Sequence, residues 1–250
     1  ICRTFELLYI CRPDSEVGCR HRSKCWGIYR NILDASFDQN NQALDCLDYF
    51  WYIQINNGNI ADVLQDMALC FCSNKYRTKY SRFFEQINST RSAIAEHVSL
   101  ATEIALDYML KDNPDEIFFG LGLFLSNGSI EKLYITKKEQ FPQFSGLLGD
   151  DQTIRVMKLL LYFSVDDSQI CHAAFQLLSL SKGKNDAYTE FCLKEVYGDY
   201  PSTLHEVAIH YKESNIHSQA ELAMKVNDAY ETATIEYKKA SEIMDLMPSW

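Results

Sequence analysis

The chain has 250 residues, 47% of them hydrophobic and 23% charged, with a net charge of −10. This is ordinary globular composition, long enough for one large or two small domains; no apolar run approaches the roughly 18 residues of a membrane span, and so acidic a chain suits duplex nucleic acid poorly. Ten Gly and five Pro are too few for a fold of many short strands and tight turns, which leaves long helices.

The first residue is Ile1 rather than Met, so a segment upstream is expected. The first predicted helix, ICRTFELLYICR, runs into CRPDSEVGCRHRSKC, three cysteines and a histidine in a short stretch. Cys11, Cys19, His21 and Cys25 could supply the four ligands of a tetrahedral zinc. The gaps between them are seven, one and three residues, however, and structural zinc sites usually present C-x2–4-C knuckles. Free thiols are the favoured reading, zinc is the alternative, and no cofactor is expected. The chain carries nine cysteines, seven of them in the first 72 residues. An odd, lopsided set is a poor disulfide framework and points to a reducing, cytoplasmic setting.

Helical periodicity continues through KCWGIYRNILDAS, ALDCLDYFWYIQI and ADVLQDMALCF. In KYRTKYSRFF, helical spacing puts Lys75, Lys79 and Arg82 on one face and Tyr76, Tyr80 and Phe83 on a neighbouring one. The basic face is a candidate contact for an acidic protein surface or for RNA phosphates, with a plain solvated face as the simpler reading. The stripe runs on to Tyr108, as one long helix or as two joined near Asn88. Within it, RSAIAEH, Arg91 to His97, resembles the R-x4–6-H motif of HEPN-type helical ribonucleases. That resemblance implies two such helices meeting in a dimer, with Arg91 steadying a phosphate and His97 acting as acid or base. General acid–base cleavage needs an imidazole that titrates near neutrality. A solvent-facing Arg and His is the competing reading and is preferred.

Asn113-Pro114-Asp115-Glu116 is a strong helix start: Asn caps, Pro fits the first turn, and the acids complement the helix dipole. Asn127-Gly128 closes that helix. An organisational boundary is expected at residues 111–114. It divides a helical bundle, residues 1–112, Cys-rich at its start, from a helical-repeat-like region, residues 113–250. Charge follows the same line, with 12 Lys and Arg against 13 Asp and Glu in residues 1–111, and 12 against 21 in 112–250.

Beyond Gly149 the predicted helices start at Asp150, Asp166, Asn185 and Pro201, so a two-helix unit occupies about 35 residues. DDQTIRVMKLLLYFS and DDSQICHAAFQLLSLS share wording, with Ile154 over Ile170 and Leu161 over Leu177. The pattern resembles α-solenoids of the tetratricopeptide or HEAT kind over residues 150–213, and an irregular bundle is the alternative. HEVAIH, His205 to His210, is one residue too long for the zinc-protease motif. Histidines five apart on a helix diverge by about 140°.

The last predicted helix, from about Ser218 to Met247, holds the cleanest pattern. Ala223, Val226, Tyr230, Ala233, Tyr237, Ala240, Met244 and Met247 fall at alternating three- and four-residue steps, a heptad seam. It is rich in Ala and Tyr and poor in Leu, a weak zipper but a surface that another helix can approach closely. Its first half is expected to pack on residues 186–212, and its distal half to be free for a partner.

The reading is an all-α protein: an irregular N-terminal helical bundle, then solenoid-like hairpins and a long C-terminal helix. The expected function is protein interaction, as a scaffold or regulatory module, rather than catalysis. The expected partner is another protein, met through a helical surface at Tyr230, Ala233, Tyr237, Ala240, Met244 and Met247 or at Lys75, Lys79 and Arg82. RNA is the second choice, met by Arg91 and His97 in a metal-independent ribonuclease. No membrane is involved, and the oligomeric state is left open.

Overall fold

The computed structural model describes residues 42–72, 87–136 and 146–245, and these form an all-α fold. α1 (Gln42–Asn56) and α2 (Ile60–Cys72) make a hairpin that turns at Gly58, whose φ of +83° is the left-handed conformation glycine adopts without strain. α3 (Asn88–Glu96) and α4 (Val98–Met109) follow, separated by a break at His97, where φ is −114° and ψ 37°. The sequence pattern gives no sign of this break, since neither Gly nor Pro stands there. Its cause is tertiary: α3 packs on α1 and α7 (Asp150–Phe163), whereas α4 packs on α5 (Pro114–Leu125) and α2, so the two stripes are buried in different directions.

α5 (Pro114–Leu125) is the centre of the molecule. It starts as expected: the Asn113 side chain accepts a hydrogen bond from the Asp115 amide at 3.0 Å, and Pro114 opens the first turn. Every residue from Phe118 to Leu125 is buried. A helix apolar all round must be covered on all sides, and α2, α4 and α7 cover it. Its 12 residues are too few for a span, and no helix among the described residues is long and apolar enough to cross a membrane.

α6 (Ile130–Thr136), α7 (Asp150–Phe163) and α8 (Asp167–Gln176) come next, the last extended by a tighter turn at Leu177–Ser179. α9 (Asp186–Phe191) continues through a wide π turn, Cys192–Val196, and a last turn, Tyr197–Asp199. α10 (Pro201–Tyr211) and α11 (His217–Asp245) close the fold. The helix starts expected at Asp150, Asp166, Asn185 and Pro201 agree with these to within one residue. Contacts alternate, α7 with α9 and α8 with α10. The loops before α7 and after α8 are tied by one bridge, where Leu148 donates to the Leu180 carbonyl at 3.1 Å and accepts from Lys182 at 2.6 Å. Residues 111–113 are a short turn between α4 and α5, which pack closely together, and one hydrophobic core runs across it from Trp51 to Val226.

Several helix ends are finished by side chains from distant helices. The Asp48 carboxylate on α1, only 7% exposed, accepts from the Ser89 and Thr90 amides at 3.0 and 2.8 Å, and the Thr90 hydroxyl donates to the Asp48 carbonyl at 3.0 Å. It serves as the N-cap of α3, where Ile87 offers no side-chain acceptor. Asp150 likewise accepts from the Ala187 amide at 3.0 Å at the start of α9, and Gln176 accepts from the Ile130 amide at 3.2 Å at the start of α6. At the other end of α5, the Gln169 amide donates to the Leu125 carbonyl at 3.0 Å and also to the Gly128 carbonyl. Asp48→Ala leaves the buried Thr90 amide and the part-buried Ser89 amide without an acceptor and should lower stability by about 1–3 kcal/mol, read from urea unfolding. Asp48→Asn, which keeps one acceptor, should lose less; equal losses would mean that shape rather than capping matters at this position.

Candidate functional site

The site is the hairpin of α10 and α11. Pro201 starts α10, and the turn after Tyr211 is set by Ser214, whose hydroxyl donates to Gln219 Oε1 at 2.6 Å and accepts from the Ile216 amide at 3.2 Å. Gln219 Nε2 then donates to the Phe175 carbonyl at 2.9 Å, which fastens the start of α11 to α8. Gln219 is a buried polar residue on the apolar side of α11, a role the sequence reading missed; a glutamine one turn ahead of the seam was its only signal. Leu222, Ala223 and Val226 are buried in the core, where α11 packs chiefly on α10 and also on α8, and Asn227 donates to the Ala223 carbonyl at 2.6 Å. Tyr230 is half-buried and stacks on His205 of α10, with ring centroids 4.0 Å apart and planes 12° from parallel.

There the support ends. At ~1.5 Å per residue α10 is about 16 Å long and α11 about 44 Å, so the 29-residue helix outruns its 11-residue partner. Residues 231–242 are all exposed. Tyr237 is 76% exposed and Ile235 53%, and Ala233 and Ala240 lie open on the same seam as Tyr237. The heptad seam is therefore one face in two environments: core at Ala223 and Val226, half-covered at Tyr230, and open surface at Ala233, Tyr237 and Ala240. Met244 stands in the last turn of α11, and Met247 lies outside the described residues.

The other candidates separate. The Arg91 guanidinium donates to the Leu161 carbonyl of α7 at 3.4 Å and to the Asn88 side chain at 2.5 Å, while His97 sits exposed at the break between α3 and α4. Arg91 thus spends donors on structure, and the two side chains have different surroundings. His205 and His210 diverge as their spacing requires: His205 lies on Tyr230 of α11, whereas His210 faces His172 of α8 with centroids 6.5 Å apart. Burial, and then the facing His210, push the half-buried His172 below its ordinary pKa, with Asp166 acting in the other direction. Among the described residues no three His, Cys, Asp or Glu side chains converge as metal ligands.

Cys171 and Cys192 are fully buried free thiols. Burial pushes both up to about 12, which keeps them protonated and unreactive near neutral pH. Cys11, Cys19, His21 and Cys25, with Lys75, Lys79 and Arg82, lie outside the described residues. Comparison of the chain with protein families, with curated proteins and with solved structures finds no match.

Proposed function

We propose that the chain is a helical protein-interaction module, a scaffold or regulatory unit, whose contact surface is the distal half of α11. One observation carries this reading: the seam that packs on α10 through Tyr230 continues, in the same register, as exposed residues Ala233, Tyr237 and Ala240. The two alanines let a second helix come close, and Tyr237 supplies an amphipathic ring of the kind that anchors interfaces. Glu236 flanks the seam and would help to select partner and register, while Glu231, Lys238, Lys239 and Glu242 keep the outer side solvated. The alternating contacts of α7 with α9 and α8 with α10 support a repeat-like stack that holds this helix out from the body. The unpaired buried thiols of Cys171 and Cys192 support a reducing, cytoplasmic setting.

The test is positional. A photo-reactive side chain placed at Tyr237 should give a covalent protein adduct in extracts of the native host, and one placed at the exposed, off-seam Thr232 should not. Tyr237→Asp should abolish the partner complex and leave the melting curve in place. Tyr230→Asp should instead lower stability, by roughly 1–3 kcal/mol, because it sets a charge against the half-buried face of His205. Absence of any adduct at position 237, or the same adducts from both positions, would overturn the assignment.

A further inference from the structure

We propose that the partner of the distal α11 seam is a second copy of this chain, the two helices pairing antiparallel with Tyr237 of each copy over Ala240 of the other. The inference rests on the reading of α11 as a contact surface and adds what occupies it. Three features of the helix support it.

The first is the order of large and small residues. In heptad terms Tyr230, Tyr237 and Met244 occupy one kind of seam position and Ala233 and Ala240 the other. In a parallel pair each position faces its own copy, so two tyrosines crowd one layer and two alanines leave the next one empty. In an antiparallel pair the three- and four-residue steps stay in phase only when the two kinds of position face each other. Counting outward from the layer Tyr237 over Ala240, the next layers are Ala240 over Tyr237 and position 244 over Ala233. Every layer then joins one large residue to one small one, the interdigitation that close packing needs.

The second is length. The two-fold axis of that arrangement falls midway between Tyr237 and Ala240, inside the exposed run 231–242 and two residues from its middle. The pairing therefore covers the exposed run of each helix, about 18 Å, and stops short of Tyr230, where His205 of α10 is stacked. The seam of the dimer continues the seam of the α10–α11 hairpin without a change of face.

The third is charge. Along the edges of the antiparallel seam Thr234 faces Ser241 of the other copy, Glu236 has no acid opposite it, and Lys238 and Lys239 stand on the outer side. No like-charge pair opposes association at the contact. The long-range repulsion of two chains of charge −10 remains, and it is screened by salt. The contact is about three turns long and short of Leu, so the dimer is weak and concentration-dependent. Because the first half of α11 is already anchored, little ordering is needed on association.

Sedimentation equilibrium of the 250-residue chain in reducing buffer tests this. Wild type should pass from monomer to dimer over roughly the micromolar range, more readily at higher salt. Tyr237→Ala leaves small over small, and Ala240→Tyr sets large against large; each alone should weaken association by about tenfold or more while the melting temperature holds. An equimolar mixture of the two single variants should restore it, because a chain with alanine at both 237 and 240 then faces a chain with tyrosine at both, one small over one large residue in each layer. The double variant should restore it as well. A chain that stays monomeric to about 100 micromolar, or a mixture no better than its components, would overturn self-pairing. The photo-adducts separate this failure from that of the underlying reading. An adduct of twice the 28.9 kDa chain supports the second copy. An adduct of another mass alone removes self-pairing and keeps the interaction module, and no adduct removes both.

Discussion

Gly120→Ala should destabilise the protein by about 1–3 kcal/mol, although the same change in an isolated helix stabilises by up to about 1 kcal/mol. The reversal comes from how α5 is packed. A Cβ on Gly120 would lie 2.6 Å from the Ala105 carbonyl oxygen, 2.8 Å from the Tyr108 Cβ and 2.9 Å from the Met109 Cγ, all on α4. The nearest of these belongs to backbone, which cannot rotate aside, so α4 as a whole must move outward. Gly122, two residues and about 200° further round, meets α7 in the same way, with Leu159 Cβ at 2.6 Å and the Val156 carbonyl at 3.4 Å. The two glycines thus let helices close in on opposite sides of the same central helix. Gly198, in the last turn before α10, has nothing within 4 Å of its would-be Cβ, and Gly198→Ala should stabilise by about 0.5–1 kcal/mol. Urea midpoints for the three variants decide the matter. If Gly120→Ala moves in the same direction as Gly198→Ala, the close approach of α4 is not what holds α5 in place.

What was legible in the sequence is what the chain settles locally. Asn113 and Asp166 cap the helices that follow them, with the side-chain acceptors their positions suggest, and the long C-terminal helix follows from its own periodicity. Asn185 stands at the start of α9 as expected but does not cap it. It adopts a left-handed φ of 54°, and Asp150 accepts instead from the amide of Ala187, 37 residues away from it. Asp48 capping α3 and Gln169 finishing α5 belong to the same class. A cap supplied across 40 residues leaves no mark near the helix it serves. The break at His97 is hidden for a related reason: it is where the chain changes neighbours rather than where propensity fails.

The candidate site divides along the same line. The seam on α11 is a local pattern and could be read directly. Where it leaves the body depends on how far α10 reaches along it, and that limit appears only when His205 is seen stacked on Tyr230. The likeness of Arg91 to His97 to a ribonuclease motif is also local. The carbonyl of Leu161 that engages Arg91 is 70 residues away, and no spacing rule reaches that far.

Phe119→Ala should have the largest effect of any single truncation in the core, about 3–5 kcal/mol. Phe119 is fully buried and meets three other rings: Tyr108 edge-on with centroids 5.1 Å apart, Phe163 edge-on at 5.8 Å and Phe71 tilted at 6.1 Å. Those rings belong to α4, α7 and α2, so the cluster joins helices that precede residues 111–113 to helices that follow them. Edge-on aromatic pairs add to the loss beyond area alone, and the cavity cannot close without moving all four helices. The consequence is cooperative. If the core crosses the α4–α5 turn as one body, hydrogen exchange in α1 and in α10 should accelerate together in Phe119→Ala, and a single urea transition should shift as a whole. Phe119→Leu, which keeps most of the volume, should shift it less. Exchange that rises in α1 while α10 keeps its wild-type protection would divide the protein into two independently stable units near residue 112, with the aromatic cluster as a contact between them rather than a shared centre.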